Sequence, residues 1–217
     1  MLLESLFSLA GKTVLLVGSS ESLTPVISET LLESGAKVLL LGDTAHVVSG
    51  AMITRSVDLA DRDTVAQTVA EIVQTSKIDV LINDVSQTNG KAGIEWVFAA
   101  TKIVGDSMHG QGGSIINITV MDAVVNNGTL PPSIRGAALT EMMGRMAVAY
   151  QDVRVNSIIL GPFSRDGQEQ NALAERTCLR RTGHFAELRG PMMFLASNAS
   201  SYMTGEDVVV DGGWTIL

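Results

Sequence analysis

Cysteine is almost absent from this sequence. The 217 residues include one, Cys178, which excludes a disulfide framework and suits a reducing compartment such as the cytoplasm. No cysteine–histidine pattern surrounds Cys178, so we expect a small buried or half-buried thiol rather than a nucleophile. The three histidines, His46, His109 and His184, are scattered along the chain. Their spacing predicts no metal site, and we expect ordinary surface or loop histidines.

Positive charge is also scarce. The net charge is -8, the pI is about 4.8, and no run of Lys and Arg occurs, which disfavours nucleic acid and anionic membranes as partners. No apolar stretch reaches membrane-spanning length. Residues 1–12 contain Glu4 and lack a basic start, so we expect a lead-in to the first strand rather than a signal peptide. With 18% charged residues and a mean hydropathy of +0.28, the composition favours burial of surface in an assembly.

Two hydrophobic patterns alternate along the chain. Short apolar runs predict strands at residues 13–17, 37–41, 52–57, 78–82, 114–119, 153–159 and 207–210. Amphipathic patterns predict helices at 23–34, 58–76, 94–108 and 135–150, with a further helix ending near residue 197. This alternation predicts an α/β fold, a Rossmann-like doubly wound parallel sheet in a three-layer α/β/α arrangement, as one domain over residues 1–217.

The first strand–turn–helix unit has the outline of a dinucleotide site. Gly18 ends the strand, but Ser22 and Thr24 occupy positions where further glycines would let the backbone approach a pyrophosphate. Glu21 places a negative charge where phosphate oxygens would lie, against the sign that a helix N-terminus favours. The unit therefore predicts the backbone architecture of a dinucleotide site, but not the groups that would bind the pyrophosphate.

Two connections are unusually short. Nine residues, 43–51, separate the second and third predicted strands, whereas a parallel crossover usually takes a dozen or more. The missing helix would lie beside the adenosine half of a dinucleotide. Asp43 could bind a ribose hydroxyl or serve as a turn residue, and without the glycine loop we favour the turn. The second shortening falls in the polar loop 83–93, after the fourth strand.

Several segments resemble the short-chain dehydrogenase/reductase family, in the family's order and over the whole chain. They are Gly11-Lys12-Thr13-Val14 with Gly18, Gly35-Ala36-Lys37-Val38, Asp58-Leu59, Leu81-Ile82-Asn83, the run 113–118, Val153-Arg154-Val155-Asn156 and Gly161-Pro162. The closing run, Phe194-Leu195-Ala196-Ser197 through Tyr202-Met203-Thr204-Gly205 to Val210-Asp211-Gly212-Gly213, is the most specific.

The resemblance implies NAD(P)-dependent redox chemistry. The family uses a tyrosine as acid and base, a lysine four residues later, a serine that holds the carbonyl oxygen and an asparagine that anchors a water relay. The serine position falls on Val120, which has no hydroxyl. The tyrosine position falls on Pro131 or Pro132, depending on a one-residue gap, and neither can donate a proton.

The remaining family positions are also changed. The lysine falls on Arg135 or Gly136; arginine stays charged but does not titrate. The asparagine falls near Gly93. The family's Asn-Asn-Ala-Gly reads Asn83-Asp84-Val85-Ser86 here, which adds side chains beside the cofactor path.

No other residue offers an evident replacement. Tyr150 has Arg154 four residues on, but Arg154 opens a predicted strand, and Glu206 follows Tyr202 at that spacing. Thr119 could hold a carbonyl oxygen but is no proton donor of suitable pKa. We therefore assign no catalytic, cofactor-binding or metal-binding residue.

Two family positions survive at the expected cofactor site. They are Gly18 and Asp58. Both also have structural uses, Gly18 in a tight turn and Asp58 at a helix start.

The resemblance and its departures predict a non-catalytic subunit. We expect it to support an active family paralogue in a heterotetramer-like assembly, with NAD bound by the partner and none by this chain. The complex would be an alcohol dehydrogenase, with a hydroxyacyl-CoA as one possible substrate class. The alternatives are an active NAD(P)-dependent oxidoreductase with atypical residues, or a small-molecule or acyl-CoA-binding module.

The resemblance also implies where subunits would meet. Family members assemble as dimers of dimers, with one interface on helices such as 94–108 and 135–150 and another on the last helix and strand. Met142, Met143 and Met146 suit an adaptable apolar contact, or else the core of the chain itself.

Overall fold

The computed structural model describes residues 3–18, 20–42, 53–86, 94–120, 132–164 and 172–217, without the side chains of residues 53, 54 and 132–137. None of the helices within these ranges combines the length and the hydropathy that a membrane span requires.

Seven parallel strands form the central sheet. In chain order they are β1 (Thr13–Val17), β2 (Lys37–Gly42), β3 (Ile53–Ser56), β4 (Val80–Asp84), β5 (Gly113–Val120), β6 (Val153–Leu160) and, after the two strands β7 (Phe163–Ser164) and β8 (Gly183–His184) of a separate ribbon, β9 (Asp207–Val210). They lie side by side in the order β3-β2-β1-β4-β5-β6-β9. Buried β-branched and leucine residues dominate these strands, as expected for a sheet covered on both faces.

Helices cover both faces of the sheet. The described helices are α1 (Leu3–Phe7), α2 (Leu23–Glu33), α3 (Arg62–Thr75), α4 (Glu95–Met108), α5 (Pro132–Ala149) and α6 (Arg189–Ala196). Helices α3, α4 and α5 pack on one face in one hydrophobic cluster, and α2 and α6 pack on the other face in a second cluster. In β1, β2, β4, β5 and β6, alternate residues contribute to the two clusters, because side chains of a strand point to opposite faces.

The predicted fold class is confirmed. The sheet is a doubly wound, Rossmann-like parallel sheet between two helical layers. From β1 the chain builds outward to β2 and β3, then returns to β4 on the other side of β1. This reversal places the crevice of the fold at the carboxyl ends of β1 and β4.

Local sequence signals explain most element ends. Asp61 begins α3 as its N-cap, with its side chain accepting from the N–H groups of Asp63 and Thr64. Gly35 ends α2 in a left-handed conformation at φ +83°, where glycine has no Cβ penalty. Pro25 lies in the first turn of α2, where a missing N–H has no cost.

Several boundaries differ from the sequence-based prediction. Strand β4 extends to Asp84, two residues past the predicted end, and α5 begins at Pro132 rather than at Arg135. A short helix, α1, lies within the segment that we expected only to lead into β1. The predicted polar excursion contains a two-stranded ribbon of β7 (Phe163–Ser164) and β8 (Gly183–His184).

The closing run of the family motif holds the last strand in place. The buried Asn156 donates from Nδ2 to the carbonyl of Met203 at 3.0 Å and accepts at Oδ1 from the N–H of Glu206 at 3.1 Å. Nearby, Val155 donates its N–H to Thr204 Oγ1 and accepts at its carbonyl from the N–H of Gly205. These bonds position β9 against β6, so this part of the motif serves the fold.

For the short connection after β2, the structure describes only the strand ends on either side. Strand β2 ends at Gly42 and β3 begins at Ile53. Asp43 and His46 lie between them, outside the described residues.

Candidate functional site

The candidate site lies at the crevice between the carboxyl ends of β1 and β4. Gly18 follows β1 with φ +145°. A Cβ on Gly18 would come within 2.6 Å of the Cβ of Asp84, the last residue of β4. Glycine is therefore required here by the close approach of two strand ends, whatever the cleft binds.

The turn after Gly18 is closed by its own hydrogen bonds. Ser20 Oγ, which is buried, accepts from the N–H of Leu23 at 3.1 Å, and the carbonyl of Ser20 accepts from the N–H of Thr24 at 3.0 Å. Helix N-terminal N–H groups are the usual donors to a bound phosphate. Here the N–H of Leu23 already has a partner within the turn.

Side chains occupy the positions of the missing glycines. Thr24 is buried and Ser22 is partly exposed, while the carboxylate of Glu21 is exposed to solvent beside them. Thr24 Oγ1 has no hydrogen-bond partner among the residues that the structure describes.

A buried carboxylate closes the other side of the crevice. Asp84 Oδ1 accepts from both the N–H of Ser86, at 3.0 Å, and its hydroxyl, while Oδ2 is buried without a hydrogen-bond partner in the described part of the chain. Burial raises the pKa of Asp84, and the hydrogen bonds from Ser86 and the influence of the Ser20 N–H only partly oppose this. The site thus contains a carboxyl whose charged form is disfavoured.

The opposite face of the same strand end carries a neutral polar network. Asn83 Nδ2 donates to Asn117 Oδ1 at 2.9 Å and to Thr101 Oγ1 at 3.1 Å, and Asn117 Nδ2 contacts Met143 Sδ. The network ties β4, β5, α4 and α5 together below the crevice. A buried network of this kind fixes the packing of the core.

The structure describes only some of the predicted catalytic positions. Val120 is the last residue of β5, at the carboxyl edge of the sheet, and is partly exposed. Gly93 and Pro131 lie outside the described residues. The backbone of α5 contains Pro132, Arg135 and Gly136, whose side chains are not described.

Tyr150 has a structural role away from the crevice. Its hydroxyl donates to Asp106 Oδ1 at 2.8 Å, and its ring lies where a Cβ on Gly105 would be. Burial, followed by the hydrogen bond and charge of Asp106, raises the pKa of Tyr150. An acid and base for hydride transfer needs the opposite shift, so this tyrosine does not replace the family residue. Tyr202 is fully exposed on the loop before β9.

The predicted surface histidines are confirmed where they are described. His109 is exposed and its Nδ1 lies 3.1 Å from Asp152 Oδ1. His184 caps a short 3-10 helix by accepting from the N–H of Ala186. Asp58 accepts from the N–H of Ala60 at 2.8 Å in the turn before α3. The helix itself begins at Arg62 with Asp61 as its N-cap, so the expected helix start at Asp58 was four residues too early. Among the described residues, no group of three metal-ligating side chains occurs.

The structure corrects the expectation for Cys178 and decides between the two expectations for the methionines of α5. Cys178 is exposed rather than buried or half-buried, with its Sγ donating to the carbonyl of Gly213. Met143 and Met146 are buried in the core of the chain, and Met142 packs partly against it. The Met-rich stripe of α5 therefore belongs mainly to the core, because α5 covers the sheet beside α4.

Sequence reasoning placed Asp84 beside the cofactor path but missed its burial. The signal was present, since an aspartate at the end of an otherwise apolar strand has either to face solvent or to be hydrogen-bonded. Its contact with Gly18 and the turn follows only from the pairing of β4 with β1, which joins residues far apart in sequence.

Comparison with known proteins agrees with this geometry. A family model described as Enoyl-(Acyl carrier protein) reductase matches residues 94–215, more than half of the chain. The chain is 28% identical to gluconate 5-dehydrogenase from Gluconobacter oxydans, over 97% of each protein. It is 27% identical to a tropinone reductase homologue from Arabidopsis thaliana, over 99% of this chain and 97% of the relative.

The relatives are longer than this chain. The alignment with the Arabidopsis protein extends over 256 positions, against 217 residues here. The relative therefore contains segments that this chain lacks, in keeping with the shortened connections.

Solved structures share the whole fold. A short-chain type dehydrogenase/reductase from Mycobacterium marinum superposes with a TM-score of 0.85 at 27% identity, with both chains covered completely. A gluconate 5-dehydrogenase from Burkholderia cenocepacia J2315, solved in complex with NADP and tartrate, superposes with a TM-score of 0.83 at 22% identity over 99% of each chain. The sheet order, the crevice between β1 and β4, the closing motif and these matches together show that the chain belongs to the short-chain dehydrogenase/reductase family.

Proposed function

We propose that this chain is a non-catalytic subunit of a hetero-oligomeric, NAD-dependent dehydrogenase of the family. In this assembly it structurally supports an active paralogous subunit, and the partner holds the NAD. The complex would be a dimer of dimers located in the cytoplasm.

The observation that carries the proposal is the chemistry of the crevice. The described residues there present a buried carboxyl, Asp84, and the side chain of Thr24 where a dinucleotide diphosphate needs free N–H donors and space. They do not fit that group. At the end of β5, Val120 lacks the hydroxyl that the family uses on the substrate carbonyl.

The retained scaffold supports the same proposal. Among the described residues, the chain keeps both hydrophobic clusters, the parallel sheet and the hydrogen bonds between Asn156 and the segment before β9. The cofactor and catalytic positions have changed, but the fold has not. We expect this pattern when a partner subunit still depends on the folded chain.

In its narrower form the proposal names a substrate class for the complex. We propose that the active partner oxidises a hydroxyacyl-CoA, as in 2-[hydroxy(phenyl)methyl]succinyl-CoA dehydrogenase of anaerobic toluene degradation, with this chain in the place of the inactive subunit.

Co-expression tests the proposal. An affinity-tagged form of this chain is produced together with an untagged active paralogue from the same organism, and alone as the control. We expect stoichiometric co-purification and higher stability or activity of the partner in the complex than by itself. The proposal fails if this chain purifies alone as a stable homo-oligomer and never joins the paralogue.

A second candidate is an active NAD(P)-dependent oxidoreductase with atypical residues. The names of the relatives favour it, since gluconate 5-dehydrogenase describes an active enzyme. Titration of NADH into the isolated chain, followed by the fluorescence of Trp96 and Trp214, separates the two. Saturable micromolar binding supports the second candidate.

A further inference from the structure

We propose that a polar cavity at the amino edge of the sheet binds a small dianion through its carboxylate or phosphate oxygens. The cavity has a volume of about 280 Å³, which is near the lower end of the range for small-molecule pockets. The inference goes beyond the proposed function, because this cavity lies at the opposite edge of the sheet from the crevice between β1 and β4.

The cavity lies where parallel strands begin. Lys12 precedes β1, Asp79 precedes β4, Gly113 opens β5 and Arg154 is the second residue of β6. Parallel strands start at the same edge of a sheet, so these residues meet although they are distant in sequence. The segment after α6, from Ser197 to Ser201, lines another side of the cavity.

Arg154 supplies a partly buried cation to this cavity. Its Nη1 donates to Ser200 Oγ at 2.7 Å and its Nη2 to the carbonyl of Ser197 at 3.1 Å, which uses two of the five N–H donors of a guanidinium. Among the described residues, no carboxylate opposes the burial that lowers the pKa of Arg154, yet arginine stays charged in proteins. Its remaining donors fit the paired oxygens of a carboxylate or phosphate.

Two lysines add positive charge at the exposed side of the cavity. Lys77 Nζ lies 2.9 Å and Lys12 Nζ 3.8 Å from the same oxygen, Asp79 Oδ1. The other oxygen of Asp79 accepts from the N–H of Thr13 at 2.9 Å. One carboxylate therefore serves two lysines and a backbone donor.

The second carboxylate of the cavity has partners of its own. Asp152 Oδ1 lies 3.1 Å from His109 Nδ1, and Oδ2 accepts from the N–H of Gly110. The charged groups that line the cavity are thus the two lysines and Arg154 against two carboxylates that already have donors. In a chain with a net charge of -8, this local excess of positive charge favours a compact anion from solution.

Calorimetric titration of the full chain with two probes tests the site. Inorganic phosphate and succinate are titrated separately at about pH 7.5, where phosphate is mainly a dianion, with chloride keeping the ionic strength constant. We expect saturable one-to-one binding of at least one probe with a Kd below about 1 mM. The probe that binds more tightly then distinguishes a phosphate-bearing ligand from a dicarboxylate.

Lys77→Gln and Lys102→Gln form a matched pair of variants. Each removes one positive charge from an ion pair with an aspartate, at 2.9 Å and 2.7 Å respectively, and the two lysine side chains are 59% and 56% exposed. Lys102 lies on α4 and does not line the cavity. We expect Lys77→Gln to weaken binding about threefold and Lys102→Gln to leave it unchanged.

Arg154→Gln should weaken binding at least about tenfold, because it removes the charged fork. Arg154→Lys keeps the charge without the fork, and we expect a smaller loss. Since Arg154 also holds the segment after α6, circular dichroism checks that these variants fold. If they do not, the double variant Lys12→Gln, Lys77→Gln replaces them, again with an expected loss of at least about tenfold.

Three results would overturn the site. They are the absence of saturable binding of either probe to wild type, unchanged binding in the folded Arg154 variant or its lysine replacement, and an equal loss of binding in the Lys77 and Lys102 variants. The last two would show that the anion binds elsewhere. None of these results concerns NADH, so failure of this site and failure of the proposed function are distinguishable.

Discussion

At the scale of single residues, the structure separates glycines and carboxyls that serve the fold from those that would serve a ligand. Gly18 survives from the family motif because the ends of β1 and β4 nearly touch there. The survival of this glycine is therefore no evidence for a cofactor. Asp84, in contrast, does not serve the fold. Its carboxyl is buried with one oxygen unpartnered, which lowers the stability of the native state and brings no evident benefit to the core.

Asp84→Asn is expected to stabilise the protein at neutral pH. Burial raises the folded-state pKa of Asp84 above its unfolded value, so the stability of the native state is greatest below the unfolded pKa and decreases as pH rises through the folded one. The variant removes this loss, and we expect a gain of about 1–2 kcal/mol at pH 7. Urea unfolding at pH 7 and pH 4.5 should show the gain shrinking at the lower pH; a constant gain would contradict this origin.

Asp79→Asn is expected to destabilise the protein at neutral pH, the opposite of the effect of Asp84→Asn. Although burial acts to raise the pKa of Asp79, the N–H of Thr13 and the charges of Lys77 and Lys12 lower it overall. Its contribution to stability is present above the unfolded pKa and is lost as pH falls through the folded pKa. The same urea experiment should therefore find this variant less stable than wild type at pH 7, and the difference should diminish on acidification.

Gly18→Ala is expected to destabilise the protein by about 2–4 kcal/mol, since the new Cβ would clash with Asp84 and the φ of +145° strains any L side chain. Gly190→Ala is the control, because a Cβ at this position in α6 meets nothing within 4 Å. Thermal unfolding of both variants measures the difference. A Gly18→Ala variant as stable as the control would refute the close approach.

At the scale of elements, the sequence predicted those whose signal is local and continuous. The apolar run of β1, the Asp61 cap of α3 and the Gly35 stop of α2 all appear in the structure. Strand β4 was placed two residues too early, because Asn83 and Asp84 are polar and read as loop. Their burial depends on hydrogen bonds to β5 and α4 and on the close approach of Gly18 to Asp84, which no local pattern reveals.

The closing run gives a prediction about the last strand. Asn156→Ala removes both bonds to the segment before β9 and leaves the carbonyl of the partly buried Met203 without that donor. We expect a loss of about 2–3 kcal/mol and faster amide exchange in residues 207–210. Asn198→Ala, at an exposed position, should change stability by less than about 0.5 kcal/mol. Unchanged exchange in the Asn156 variant would exclude its role in docking β9.

At the scale of the whole molecule, the fold and the family can be predicted from the sequence, whereas the arrangement of side chains in the candidate site can be predicted only in part. Strand–helix alternation predicted the sheet, and the order of the family segments predicted the family. The sequence by itself shows that Ser22, Thr24 and Val120 stand in place of the family's site residues. That a buried carboxyl lies across the crevice required the register of β4 against β1, which depends on contacts distant in sequence.

This chain keeps the scaffold of a dehydrogenase, and we propose that it does so without binding the dinucleotide. The most direct measurement is calorimetric titration of NADH into the isolated chain and into its complex with an active paralogue, at equal protein concentration. We predict no saturable binding to the isolated chain up to about 1 mM NADH, and one bound NADH for each active partner subunit in the complex. Saturable binding to the isolated chain in the micromolar range would contradict the claim.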